Sequence, residues 1–508
     1  MTKPIILFIA PPKTRRPMSG YISPLVDASV PLGILSMASF LEKNGYPVKL
    51  IDNLGDKESM PHKFKKEEIM YGIPKERLKQ RIRNVNPSIV GISGQFNAHL
   101  DMVLYVANLV KEINPKIPIV VGGAVVNDEI VKILKDEPII DLCVYGEGEY
   151  TILDLVKWCE GKIELKDIDG LAYKKDGKII KNKPRQWNFN LNELPFPAYN
   201  LVDMDWYLEL PKRGVHYRLK DNYRTMTMIT SRGCPENCNF CAIHLVSGKA
   251  WRAFSPEYIV EHMKLLVEKY GVEQIHIEDD NFTLDMKRAE KICDLIIKEG
   301  VKVRWDTPNG VRADKLSERL IVKLKQAGCW RLTVAPEVGN QEVLDKIIDK
   351  KMDLKRVEEA ARLCQKHRMP LVAFFVLGFP GETKKNLQET VDFAKKLMRK
   401  YGVIVGGAMH ATPFYGTRLW KEVNEKGYLT KEVTPESLGQ SLSGKAGLIK
   451  TPEFTPEVVQ NYNQKIIRAS FFYSAIRYLK QPWKIPYRFR NFFLIKSTLM
   501  RFVKGVDV

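Results

Sequence analysis

Runs of apolar residues with β character recur along the first third of the chain, at Ile5–Ala10, Val48–Ile51, Ile89–Ser93, Ile117–Gly122 and Ile139–Tyr145. Between them the apolar positions fall into a helical period over Leu32–Asn44, Ile73–Asn84, Leu100–Ile113, Asp128–Lys135 and Tyr150–Cys159. Regular alternation of this kind predicts a doubly wound, Rossmann-like α/β domain over residues 1–160, its parallel strands joined by right-handed crossovers. A hairpin follows at Asp169–Lys181, turning at Asp176-Gly177. The run Leu194-Pro-Phe-Pro-Ala-Tyr199 cannot stay regular with two prolines, so residues 161–215 read as a connector. A second alternation then occupies residues 216–430. Its strands are expected at Met226–Thr230, Gln274–Ile277, Val303–Asp306, Arg331–Val334, Leu371–Leu377 and Ile404–Ala408, with amphipathic helices such as Pro256–Lys269 and Asp285–Lys298 between them. Residues 431–508 have a helical pattern.

Ligands of parallel sheets sit beyond the carboxyl ends of the strands, so the residues just past each run carry the information. In the first unit these are Pro11-Pro12, Asp52-Asn53, Ser93-Gly94-Gln95, Gly122-Gly123-Ala124 and Gly146-Glu147-Gly148-Glu149. Glycines there let backbone approach a bulky flat ligand, and Ser93 offers a hydroxyl. No GxGxxG opens the first helix, which argues against a dinucleotide. In the second unit the corresponding residues are Glu278-Asp279-Asp280-Asn281, Asn309–Arg312, Glu337 and Gly378-Phe-Pro-Gly381-Glu-Thr. Any one of these acids serves equally well as a helix N-cap or a solvated loop end.

Just after the first strand of the second unit stands Cys234-Pro-Glu-Asn-Cys238-Asn-Phe-Cys241. Three closely spaced thiolates leave one iron of a four-iron cluster open to a small molecule. A zinc ribbon or a set of buried thiols is the alternative. A closed zinc site takes four ligands, however, and no fourth is spaced to fit, although His244 follows closely. The spacing, with Phe240 immediately before the third cysteine and Arg-Gly before the first, resembles the signature of the radical S-adenosylmethionine superfamily. That resemblance implies a [4Fe–4S] cluster on Cys234, Cys238 and Cys241, whose free iron chelates S-adenosylmethionine and whose reduction cleaves it to a 5′-deoxyadenosyl radical. It also implies that the six β/α units form an open, partial (β/α)6 barrel with its chemistry at the carboxyl ends of the strands.

The resemblance assigns roles to the strand ends. Carboxylates at Glu278 and Asp280 stand where the family meets the amino group of S-adenosylmethionine, although the commoner Gly-Gly-Glu is missing. Glu337 stands where a ribose-contacting carboxylate is usual, and Gly378 and Gly381 belong to a Gly-x-Pro-Gly-Glu-Thr turn that borders the sulfonium and adenine. Phe240 completes the expected cofactor contacts. The first unit resembles the cobalamin-binding domain of cobalamin-dependent members, with Ser93, Gly122, Gly123, Gly146 and Glu147 as the implied contacts. The Asp-x-His-x-x-Gly element that supplies a histidine to cobalt in cobalamin mutases is absent, so the domain is expected to give cobalamin no histidine on its lower face. His244 is expected to hydrogen-bond the cluster loop. Cys293, Cys329 and Cys364 are expected to be buried as small apolar residues.

At 508 residues, 44% hydrophobic and 28% charged, the chain has the composition of an ordinary globular protein. Eight cysteines in that length are no disulfide framework, and an exposed cluster needs a reducing compartment. The opening Met-Thr-Lys-Pro-Ile-Ile-Leu shows no signal-peptide pattern and no segment is long and apolar enough to span a bilayer, so a cytoplasmic location is expected. The net charge of +20 invites a nucleic-acid partner, but no recognisable RNA-binding module accompanies it. Instead the charge concentrates in a basic tail: every charged side chain from Lys465 to Lys504 is Lys or Arg, interleaved with aromatic residues. Such a segment fits peripheral contact with the inner face of a membrane, or a helical tail packed on the core with a solvated face. The whole is expected to be a cobalamin-dependent methyltransferase acting on an unactivated carbon of a hydrophobic lipid, isoprenoid or tetrapyrrole, reduced by a carrier such as flavodoxin or ferredoxin. The alternatives are an oxidative cyclase of the magnesium-protoporphyrin ester type and, against the absence of a further three-cysteine domain, an RNA-modifying methylthiotransferase.

Overall fold

The computed structural model describes residues 3–15, 28–65, 68–94, 100–124, 130–210, 223–442 and 446–479. Five parallel strands form the body of the first sheet: Ile6–Ala10, Val48–Asp52, Ile89–Ser93, Ile119–Gly122 and Leu142–Val144. Counted one to five in chain order, they lie 2-1-3-4-5 across the sheet. This order places a switch point between strands one and three, where crossovers leave in opposite directions and a crevice opens beyond Ala10 and Ser93. Ile6 and Phe8 pack into one apolar cluster and Leu7 and Ile9 into another, so both faces are covered. Burial on both faces is why these strands read as unbroken apolar runs rather than as alternation.

The hairpin does not stand between the domains. Leu171–Lys175 and Lys178–Lys181 add antiparallel to the far edge of the first sheet, with Leu171 beside Val144, and bring it to seven strands. Asp176 and Gly177 both take positive φ, 49° and 74°, as a tight hairpin turn requires. A small antiparallel sheet of Lys13–Arg15, Met60–Lys65 and Glu68–Gly72 grows from the loops beyond strands one and two. Its strands are short and carry little apolar alternation, and the sequence pattern gives no hint of it. The fourth helix is described from Ile130 to Asp136, and Gln95 lies outside the described residues.

The second sheet has six parallel strands in sequential order: Thr225–Met228, Gln274–Ile277, Arg304–Asp306, Cys329–Glu337, Leu371–Leu377 and Ile404–His410. The helices returning between them carry the signals that start and stop them. Pro256–Tyr270, for example, begins on Ser255, whose hydroxyl accepts from the Tyr258 N–H, and ends on Gly271 at φ 65°. The last strand would present an open edge, and the helix Pro456–Leu479 lies along it, burying Val459 and Ile466 and donating from Ser470 Oγ to the Val405 carbonyl. The start of the basic tail is therefore part of the fold, with Phe472 60% exposed on its outer side. Residues 480–508, which carry most of the basic and aromatic pattern, lie outside the described residues. Among the described residues no helix is long and apolar enough to cross a membrane.

The connector is no loose linker. Leu191, Leu194, Ala198, Tyr199, Trp206 and Leu208 are buried and join residues of both sheets in a single apolar cluster.

Candidate active site

The cysteine loop lies between the end of the first barrel strand and the short helix Ile243–Val246. Its three thiols are half-buried and form no disulfide. Burial pushes the Cys238 thiol up to about 12 and that of Cys241 to about 11, and Cys238 senses the charge of both other cysteines. Gathered thiols of this kind become thiolates when a metal replaces the proton, and sulfur donors select iron–sulfur chemistry or zinc. Among the described residues no three His, Cys, Asp or Glu side chains converge as a single ion demands. A polynuclear cluster meets each thiol at a different iron and so tolerates the wider setting; the donor set fits it.

The loop is held at nearly every residue. Gly233 has φ 82°, and a Cβ there would stand 2.4 Å from the Ala250 carbonyl oxygen, so the position requires glycine. Its N–H donates to Asp280 Oδ2 at 3.1 Å, and that of Cys234 to the Gly248 carbonyl at 3.3 Å. Asn237 Nδ2 donates to Asp349 Oδ2 at 2.6 Å. Asn239 donates from its backbone to the Ile348 carbonyl and from Nδ2 to the Ile347 carbonyl, each at 2.8 Å. His244 follows in the short helix, half-buried, and burial holds its pKa below the ordinary value. Ile347 and Ile348 end a six-residue π-helical turn, Val343–Ile348, of the wide type that recurs at functional sites.

The expected cofactor residues of the barrel converge on this loop. Phe240 packs its ring on the buried Phe379 with centroids 5.5 Å apart. Gly378 and Gly381 both take φ 92°, and the nearest atom to a Cβ on Gly381 is Ile347 Cδ1 at 3.1 Å. Glu382 Oε2 accepts from the Gly378 and Phe379 N–H groups at 2.7 and 2.8 Å, and burial lifts its carboxyl to about 7. Of the acidic run, Glu278 is half-buried at the strand end. Asp280 is lifted to about 6 by burial while it accepts from Gly233. Asp279, between them, accepts from Ser231 Oγ at 2.6 Å and from the Thr230 N–H, so it braces the strand that leads into the cysteine loop. Glu337 adopts φ 66°, which costs a non-glycine residue on the order of 1 kcal/mol or more, at a bulge in the fourth strand. Its Oε1 accepts from Lys350 Nζ at 2.6 Å.

At the first sheet, Ser93 and Gly122 are half-buried and Gly123 is exposed, giving a ledge almost without side chains beyond the strand ends. Gly94 N–H donates to the Gly122 carbonyl at 2.9 Å, and a Cβ on Gly123, at φ 93°, would stand 2.4 Å from the Gly94 oxygen. A flat macrocycle fits such a ledge, so the residues present suit cobalamin. Asp52 and Asn53 do not face it freely: Tyr207 Oη donates to Asp52 at 2.6 Å, and Asn53 Nδ2 donates to the Ala10 carbonyl at 2.8 Å.

Glu147, expected at the cobalamin face, is used elsewhere. Its Oε1 accepts from Arg232 at 2.9 Å and from Arg252 at 2.5 Å, and its Oε2 accepts from the Asn188 N–H at 3.1 Å. Glu149 Oε1 accepts from Arg232 at 2.7 Å and from Ser36 Oγ at 2.9 Å. Although burial pushes the Glu149 carboxyl up, the Arg232 guanidinium outweighs it and holds it below the usual carboxylate range. Arg252 also stacks on Trp187 at 4.8 Å. The Gly-Glu-Gly-Glu turn, with Gly146 at φ 76°, thus clasps the first domain to the arginine two residues ahead of Cys234. Two guanidiniums converging on one carboxylate account for the departure from the expected role.

Known proteins agree with this geometry. The Radical SAM superfamily profile matches residues 228–394 and the B12 binding domain profile matches residues 21–156. An uncharacterized methyltransferase of Pyrococcus horikoshii is 33% identical over 391 residues, which cover 77% of this chain and 78% of that protein. The chain belongs to the radical SAM superfamily. This radical SAM enzyme carries its S-adenosylmethionine and [4Fe–4S] chemistry in the barrel and its cobalamin on the first sheet. It is also similar to cytidylyl-2-hydroxyethylphosphonate methyltransferase of Streptomyces wedmorensis, 28% identical over 457 residues, 84% of this chain and 83% of that one. Its fold is that of the radical S-adenosylmethionine methyltransferase TsrM from Kitasatospora setae, at a TM-score of 0.65 and 16% identity, over 92% of this chain and 85% of that one. Cys293, Cys329 and Cys364 of this radical SAM enzyme are buried, as expected for packing residues. Arg232, Lys350 and the turn Val343–Ile348 escaped the sequence reading; an arginine beside the cysteine motif was the one signal in view.

Proposed function

We propose that this enzyme transfers a methyl group to an unactivated carbon of a hydrophobic molecule, of the lipid, isoprenoid or tetrapyrrole class. The observation that carries the proposal is the clasp of Arg232 by Glu147 and Glu149, which ties the domain that takes cobalamin to the loop that takes the cluster. When bound, the cofactors supply hydrogen abstraction from carbon and a transferable methyl group. The protein's own residues do the rest. Cys234, Cys238 and Cys241 hold the cluster, the bonds from Asn237 and Asn239 fix its loop, and Glu278, Asp280, Gly378, Gly381 and Phe240 surround the place of S-adenosylmethionine. Overall, one C–H bond of the substrate is exchanged for one C–CH3 bond: one S-adenosylmethionine takes the hydrogen on its adenosyl fragment and leaves methionine, a second gives up its methyl group and leaves S-adenosylhomocysteine, and a low-potential carrier such as flavodoxin or ferredoxin provides the two electrons. A hydrophobic substrate is supported by Ile229, 42% exposed just past the end of the first barrel strand, beside a small cavity of about 80 Å³ lined mostly by apolar residues such as Leu32, Leu194, Pro195, Met228 and Phe254, with Ser36, Arg232, Tyr258 and His262 among its polar members.

The test is anaerobic reconstitution with iron, sulfide and cobalamin, followed by incubation with reductant, S-adenosylmethionine labelled in its methyl group, and a cell lipid extract. Label is expected in an extractable apolar product, and none is expected with the triple Cys234→Ala, Cys238→Ala, Cys241→Ala variant. Label appearing only in water-soluble products overturns the substrate class, and S-adenosylmethionine cleavage by the triple variant overturns the cluster assignment.

A further inference from the structure

The residues that follow the π-helical turn form a cage around one cysteine in particular. Cys238 stands between Asn237 and Asn239, and both neighbours are gripped by the same short segment: Asn239 by the carbonyls of Ile347 and Ile348, Asn237 by the Asp349 carboxylate. Asp349 has φ 58° and turns the chain so that the next residue, Lys350, points back inward. The Lys350 side chain is 13% exposed; its Nζ donates to the Ala335 carbonyl and to Glu337 Oε1, each at 2.6 Å. Although burial pulls the ammonium's pKa down, the Glu337 carboxylate outweighs it and keeps Lys350 charged. The bonds from Asn237 to Asp349 and from Asn239 to Ile347 and Ile348 hold this buried pair beside the loop that carries Cys238. Holding Glu337 in a left-handed conformation and Lys350 away from water costs free energy.

We propose that Lys350 and Glu337 set the reduction potential of the cluster, Lys350 stabilising the added electron and Glu337 limiting that effect. They are positioning residues that act on the cluster by their charge, from beside the Asn237–Asn239 segment of its loop. The inference rests on the cluster being held by the three cysteines. The step concerned is the gain of one electron by the oxidised cluster from a low-potential carrier, with no bond made or broken. A fixed cation nearby favours the more negative, reduced form, and in a site shielded from water it acts with little screening.

Full-length protein, reconstituted anaerobically, is titrated with dithionite and redox mediators in the absence of S-adenosylmethionine, and the reduced cluster is followed by paramagnetic resonance. Lys350→Met is expected to make reduction about tenfold less favourable, a midpoint about 59 mV lower for one electron. Glu337→Gln is expected to move the midpoint the opposite way, and Lys350→Arg to restore most of the wild-type value. A purely structural role would move the two variants together or lower cluster occupancy without moving the midpoint. An unchanged midpoint in Lys350→Met, or a shift of the same sign in both variants, overturns the proposal. If Lys350→Met loads no cluster, Glu337→Gln and Lys350→Arg decide it: the first must raise the midpoint and the second must keep it. A wild-type protein with no reducible cluster refutes the cluster assignment itself, a result distinct from an insensitive midpoint.

Discussion

Replacing Arg232 with Met should weaken the joint between the two domains more than any other single change at that surface. Arg232 reaches Glu149 at 2.7 Å and Glu147 at 2.9 Å, but the two acids depend on it unequally. Glu147 keeps Arg252 at 2.5 Å and the Asn188 N–H, whereas Glu149, with a side chain only 7% exposed, has no second cation among the described residues and keeps the Ser36 hydroxyl at 2.9 Å. The loss therefore falls on Glu149, and removing one partner of a buried pair costs about 3–5 kcal/mol. The pH dependence gives an independent sign. In the wild type the Glu149 carboxyl is held low, so its contribution is present above its unfolded value and is lost as pH falls through the folded one. In Arg232→Met burial, the largest influence on this carboxyl, is opposed only by the Ser36 hydroxyl and a backbone N–H, and the folded value is expected to rise above the unfolded one. The variant is then relatively secure in acid and loses stability as pH rises through that raised value, so its deficit from the wild type widens between pH 5 and 8. Urea unfolding at several pH values measures this, and the double variant Arg232→Met, Glu149→Gln should recover at least half of the loss at pH 8. A single-variant cost below about 1 kcal/mol, or a deficit that narrows with rising pH, would refute the reasoning.

Three further outcomes are expected. Gly123→Ala puts a Cβ 2.4 Å from the Gly94 oxygen at φ 93°, so it should lower stability by about 1–3 kcal/mol in thermal unfolding and release cobalamin in a filtration assay. Cobalamin copurified from a supplemented host should show no nitrogen hyperfine splitting from a protein histidine in its cobalt(II) resonance. Truncation after Leu479 should leave the barrel folded and abolish sedimentation with anionic vesicles at low salt, whereas truncation after Thr451 removes the helix that covers the last strand and should unfold the protein; vesicle binding that survives the first cut places the contact elsewhere.

The parts of the fold and site visible in the sequence are those governed by short-range pattern. Both strand–helix alternations, the CxxxCxxC spacing and the Gly378–Thr383 turn are local, and each is found where the spacing puts it. The clasp was invisible because it joins Arg232 to acids 83 and 85 positions away, a pairing that no periodicity encodes. Lys350 was invisible for a related reason: it follows a turn, Val343–Ile348, whose residues suit an ordinary helix, and the Ile347 carbonyl at its end meets Asn239 of the cysteine loop, 108 positions away. The basic tail left two readings open because charge along a helix does not say which side is covered, and up to Leu479 the structure shows the one packed on the core. Ile466 faces the last barrel strand's layer whatever its charged neighbours do.

The buried connector bears on how such enzymes exchange parts. Leu194, Tyr199 and Trp206 belong to the same apolar mass as the first domain's Leu35 and the barrel's Met263, so there is no seam at the proline-rich segment where one half can be cut and another grafted. A chimera that borrows a different barrel must bring the connector's apolar partners with it or leave them bare to water. An altered substrate range is accordingly expected to come more readily from rewriting loops at the barrel mouth than from exchanging either half.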